Sequence, residues 1–90
     1  MRSALDSLRT QINLIDRSIL ENMARRFQVV RDMVGVKKTL GMEAYDPGRE
    51  RELKRLHTAI AKELGVGERF TDALFGLILS ESKRLQEEKK

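Results

Sequence analysis

The chain has no cysteine, no tryptophan and a single proline among its 90 residues. Without cysteine there is no disulfide to staple a small fold, so apolar burial has to hold it together. One histidine, with no second histidine and no cysteine, leaves a transition metal short of ligands. Aromatic residues make up only 4%, and so short a chain with so few large side chains needs a partner surface to complete its core. No hydrophobic run approaches the roughly 18 residues of a membrane span. The start Met1-Arg2-Ser3-Ala4-Leu5-Asp6 has no apolar signal segment, and the expected location is the cytoplasm, away from any membrane. The formal charge of +4 arises from 18 basic and 14 acidic residues interleaved along the chain, so nucleic acid finds no segregated basic stripe to bind. There is no internal repeat, no strand signal, no glycine-rich phosphate loop and no nucleophile beside a base. An enzyme built this way works by holding and polarising its substrate.

Helical periodicity is what the chain does have. Leu5, Leu8, Ile12, Ile15, Ile19, Met23, Phe27, Val30 and Val34 recur at intervals of three and four, which is one apolar stripe of a continuous helix. The predicted helix covers 3–40 and is closed by Gly41. At about 1.5 Å per residue it is roughly 55 Å long, well beyond the ~30 Å width of a small domain. Two shorter helices cannot cover such a stripe along its full extent, so a second copy of the chain is expected to.

After a loop over 41–46, Asp46-Pro47 starts a second helix over 47–64. Asp46 accepts the first free amide protons, and Pro47 stands where its missing N–H costs nothing. Leu53, Leu56, Ile60 and Leu64 are expected to mark its buried face, with Gly65 and Gly67 as stops. Phe70, Leu74, Leu77, Ile78 and Leu85 are expected to do the same for a third helix over 68–86, and 87–90 to fray. The predicted fold class is all-α, a single domain over 1–90 with one long and two shorter helices, intertwined as a homodimer. Met23, Met33 and Met42 read as core and loop filler, and His57 as structural or exposed.

A helical core has no use for the ordered polar set Arg9, Arg26, Lys37, Tyr45-Asp46-Pro47-Gly48-Arg49-Glu50, Ser82 and Gln86. Taken together it reads as a pocket for a small dianion. Arg26 and Lys37 stand eleven residues apart, which returns them to within about 20° of one another and roughly 16 Å apart along the axis. They form either a solvated basic stripe or part of an anion site. Ser82 and Gln86 lie one turn apart and point the same way. Glu50 is favoured near a helix start by the dipole alone, and Arg49 and Arg51 are open to reading as surface charges.

The chain as a whole resembles the all-helical, type II chorismate mutase family, from about Leu5 to Gln86. The resemblance is carried by Leu8-Arg9, Ile15-Asp16, Arg26, Lys37, Gly41, Asp46-Pro47-Gly48-Arg49-Glu50, Glu81-Ser82 and Gln86 in that order. It implies conversion of chorismate to prephenate, a [3,3] sigmatropic rearrangement on the way to phenylalanine and tyrosine, without cofactor or metal. It also implies the residue roles. Arg26 and an Arg9 from the neighbouring subunit would bind the carboxylates. Lys37 would contact a carboxylate and the ether oxygen of the breaking bond, to which Gln86 would also donate. Glu50 and the backbone amide of Asp46 would hold the ring hydroxyl, Ser82 would help at a carboxylate, and Arg49 would add positive potential at the rim. Arg9 and Arg26 are about 25 Å apart along one helix and point in different directions. They cannot share one small ligand within a chain, and a dimer with shared sites resolves the conflict. The alternatives are an isochorismate pyruvate lyase on the same fold and a non-catalytic helical dimerisation module.

Overall fold

A computed structural model of the chain describes residues 2–43 and 46–88. Tyr45 of the ordered polar set, with Lys89 and Lys90 of the tail, lies outside the described residues. Three α-helices follow one another, α1 (Arg2–Leu40), α2 (Pro47–Leu64) and α3 (Glu68–Glu88), and no strand occurs among the described residues. The 39 residues of α1 set the longest dimension of a molecule measuring 59 × 25 × 16 Å.

The helix ends form as local chemistry dictates. Gly41 has φ 69°, a left-handed conformation that glycine adopts without steric cost. The next amide, that of Met42, thereby donates back to the Lys37 carbonyl at 2.8 Å. Gly65 ends α2 in the same way, at φ 73°. Asp46 is extended, and its Oδ1 accepts from the Arg49 amide at 3.1 Å, with Pro47 opening the helix behind it. At the other end the helix extends two residues beyond the predicted 86. Helix α3 continues through Glu88, because Arg84 donates from Nε to Glu81 and from Nη1 to Glu88, both at 2.9 Å, bracing the last turn.

Helix α3 packs against both other helices, whereas α1 and α2 do not pack against each other among the described residues. The buried residues are Val30 of α1, Ala61 of α2, and Thr71, Ile78, Ser82 and Leu85 of α3. The two buried hydroxyls are satisfied one turn back, Thr71 donating to the Gly67 carbonyl at 2.9 Å and Ser82 to the Ile78 carbonyl at 2.8 Å. Neither carries an unmet desolvation cost into the core.

Much of the apolar surface marked by periodicity is uncovered. On α1, Leu5, Leu8, Ile12, Ile15 and Ile19 are exposed, and burial begins only at Met23. On α2, Leu56, Ile60 and Leu64 are exposed and Leu53 is half-buried, whereas buried Ala61 and half-buried His57 and Thr58 belong to the adjoining flank. On α3, Ile78 and Leu85 are buried as expected, but Phe70, Leu74 and Leu77 are exposed. The expectation of a buried face therefore fails at these positions, for a reason of area. Helix α2 contacts α3 alone, α3 lies against both α1 and α2, and a single chain has nothing left to cover the remaining faces. The accessible surface is 7581 Å², against roughly 5,400 Å² for a compact chain of this mass. The radius of gyration is 16.8 Å, against about 12 Å for a compact domain of this length.

Candidate active site

The C-terminal half of α1, the first turns of α2 and the second half of α3 enclose a cleft of about 220 Å³. From α1 come Arg26, Val30, Met33 and Lys37, which steps of four and three residues put on one side of the helix. Glu43 and Asp46 enter from the connection, and Arg49, Glu50 and Leu53 from α2. The side chain of Asp46 caps α2, which fixes the first turn carrying Arg49 and Glu50. Helix α3 supplies Leu79, Ser82, Lys83, Gln86 and Glu87.

Of the described members of the polar set, Arg26, Lys37, Asp46, Arg49, Glu50, Ser82 and Gln86 line this cleft, and Arg9, Pro47 and Gly48 do not. Arg9 is exposed on the uncovered half of α1, about 25 Å along the helix from Arg26. Met33, expected as core, instead forms part of the wall and is 43% exposed. Its stripe position turns it past α3, whose contact with α1 centres on Val30. Lys83, Glu43 and Glu87 were not anticipated. The signal for Lys83 was available, since it stands three residues before Gln86 and shares its side of the helix. Glu43 has no such signal, because its place depends on how the connection folds back.

Arg26 is held from below. Its Nη1 donates to Ser82 Oγ at 2.8 Å, and Ser82 Oγ donates its own proton to the Ile78 carbonyl at 2.8 Å. The hydroxyl's single proton is thus committed to the helix, and its oxygen is an acceptor that orients the guanidinium. The pKa of Arg26 is pushed down from the ordinary arginine value, first by burial and second by the positive charge of Arg49. The guanidinium still stays charged at neutral pH. No carboxylate pairs with Arg26 among the described residues. A half-buried cation that feels a second cation across a cavity is stabilised by an anion placed between them. Arg26, Lys37, Arg49 and Lys83 in the lining are matched one for one by Glu43, Asp46, Glu50 and Glu87. The cleft of one chain is therefore nearly neutral, and a dianion calls for a further positive charge from elsewhere.

His57, which lines a wider groove next to this cleft, stacks on Phe75 with ring centroids 3.6 Å apart and planes inclined by 17°. Burial pushes its pKa down first, followed by the charges of Arg26 and Arg49. That wider groove, of about 410 Å³, shares Glu50 and Leu79 with the cleft and runs past Pro47, Arg51, Lys54 and Gly76. It contains neither Arg26 nor Lys37, so the smaller cleft is the one with convergent chemistry. No group of three or more His, Asp or Glu is placed to hold a metal among the described residues.

Residues 8–87 match the sequence pattern of chorismate mutase type II. A chorismate mutase of Methanocaldococcus jannaschii is 30% identical over 88 residues, which is 98% of this chain and 89% of the relative. The T-protein of Enterobacter agglomerans is 28% identical over 89 residues, which is 99% of this chain and 24% of that longer protein. No solved structure matches.

Proposed function

The chain belongs to the chorismate mutase type II family, and from that premise we propose how its cleft rearranges chorismate to prephenate. The observation that carries the reading is the convergence of Arg26, Lys37, Asp46, Arg49, Glu50, Ser82 and Gln86 on one small cavity from three helices. Chorismate carries two carboxylates, and the planar fork of arginine fits a carboxylate through paired hydrogen bonds. Arg26 binds one of them, oriented for it by Ser82. Ser82 thus acts at the carboxylate through Arg26, its proton being held by Ile78. Lys37 contacts a carboxylate and the ether oxygen, and Gln86 donates to the same oxygen. Glu50 and the backbone amide of Asp46 hold the ring hydroxyl, while Arg49 raises the potential at the rim.

The reaction moves no proton to or from the protein. Its barrier is lowered by freezing the side chain over the ring in the reactive diaxial conformer and by answering the negative charge that builds on the ether oxygen as the C–O bond breaks. Lys37 and Gln86 are the donors aimed at that charge. Loss of one such preorganised donor costs on the order of 3 kcal/mol in the barrier.

The working enzyme in this proposal is an intertwined homodimer of single-domain chains. Surface in excess of a compact chain amounts to roughly 2,000 Å², the scale of an obligate interface. The partner's α1 covers Leu56, Ile60, Leu64, Phe70, Leu74 and Leu77 and brings its own Arg9 to the cleft, adding the positive charge that the lining lacks. No described helix is long and apolar enough to cross a membrane, and a cytoplasmic location is part of the proposal.

The test is consumption of chorismate by the purified protein, with prephenate and pyruvate quantified in parallel and Lys37→Ala as control. Prephenate without pyruvate, lost in the control, is the expected result. Release of pyruvate instead, or turnover unchanged by Lys37→Ala, overturns the assignment.

A further inference from the structure

We infer that Lys83 is a further substrate-binding residue, which contacts at the mouth of the cleft the substrate carboxylate that Arg26 does not hold. The inference rests on the reaction proposed above. Lys83 lines the cleft between Ser82 and Gln86. Seen down α3, at 100° per residue, Ser82, Gln86 and Lys83 fall in that order within a sector of about 100°. Buried Leu85 lies beyond Ser82 on the far side. Ser82 is therefore at the floor with Arg26, and Lys83, whose residue is exposed, is at the opening. A substrate with one carboxylate on the floor presents its second toward the opening. A lysine suits that place, since its flexible stem carries a compact charge to a group at the opening.

Charge in the lining supports the same role. Without Lys83 the remaining cations are Arg26, Lys37 and Arg49, against the carboxylates of Glu43, Asp46, Glu50 and Glu87. The cleft of one chain then carries one net negative charge, which the partner's Arg9 only cancels, whereas with Lys83 present the assembled site is net positive, as a dianion requires. Glu87 stands one turn beyond Lys83 on the same side of α3. Lys83 has two ways to act, by touching the substrate or by neutralising Glu87, and the position at the opening assigns it the first.

The experiment is steady-state kinetics of the full chain at several salt concentrations, with Lys83→Met, Lys83→Arg, Glu87→Gln and the pair Lys83→Met with Glu87→Gln. Lys54→Met, which removes a charge from the outer groove, is the control. Loss of a charge-assisted contact predicts that Lys83→Met raises KM about tenfold with kcat little changed. It also predicts a flatter dependence of KM on salt, recovery in Lys83→Arg, and no recovery when Glu87→Gln is added. The proposal is overturned by an unchanged KM in Lys83→Met, by full rescue through Glu87→Gln, or by an equal effect of Lys54→Met. A wild-type protein without turnover overturns the reaction assignment and this role together. Wild-type turnover with unchanged Lys83→Met kinetics overturns this role alone.

Discussion

The two halves of α1 carry the same apolar repeat and have different fates. From Met23 onward the stripe meets α3, and Phe27, Val30 and Val34 are buried or half-buried. From Leu5 to Ile19 the same spacing faces nothing in its own chain. A periodic stripe tells which side of a helix avoids water, and it does not tell what that side meets. The candidate site follows the same division. The covered half holds Arg26 and Lys37 over the cleft, while the uncovered half holds Arg9. If the uncovered half finds its cover in a second copy, the separation of the two arginines becomes a property of the assembly.

The largest effect is expected from breaking the uncovered half alone. Ile12→Asp combined with Ile15→Asp puts two charges on a stripe that touches nothing within the chain, so a monomeric fold loses little by it. A dimer loses its interface, since an unpaired charge buried there is strongly destabilising. We expect a monomer in sedimentation equilibrium and activity lower by at least about a hundredfold. A fully active monomer would remove the assembly from the mechanism.

A smaller and sharper effect comes from mixing the halves. Arg9→Ala and Arg26→Ala are each expected to be inactive. Refolded together in equal amounts, half of the dimers are mixed, and one of the two sites in each mixed dimer has both arginines. The expected activity is thus about a quarter of wild type. Mixed dimers verified by mass spectrometry but lacking activity would show that Arg9 does not serve the neighbouring cleft.

The smallest effect belongs to the packed region. His57 has a depressed pKa in the folded chain, so around the ordinary histidine value of about 6.5 the unfolded chain binds the proton more readily. Above that value both states are neutral and the residue contributes no pH dependence. As pH falls through that value toward the folded pKa, stability is lost. Wild-type Tm should therefore drop more steeply between about pH 7 and pH 5 than that of His57→Phe. Parallel slopes in thermal melts would mean that the stack on Phe75 does not hold the imidazole neutral.

Legibility differed by the range of the interaction concerned. Asp46-Pro47 and Gly41 announced a helix start and a helix end because capping involves neighbours within four residues. The polar set was legible as a set, through its order and through the helical offsets that align Arg26 with Lys37 and Ser82 with Gln86. The part played by Ser82 was not legible. Its contact with Arg26 spans 56 positions of sequence, a separation that no spacing rule reaches. Glu43 and Glu87 look like any surface carboxylates until the packed helices bring them to the edge of one cleft.

The sequence by itself determined three helices, their caps and the apolar stripe that each carries. All of these follow from spacing and from groups within one turn of each other. The tertiary structure decided which apolar residues are covered, that Ala61 and Ile78 are buried while Leu64 and Leu77 stay open, and which charges share the cleft with Arg26. These are matters of area and long-range approach. One stripe looks the same whether its neighbour is its own α3 or another molecule, and only the packed chain distinguishes the two.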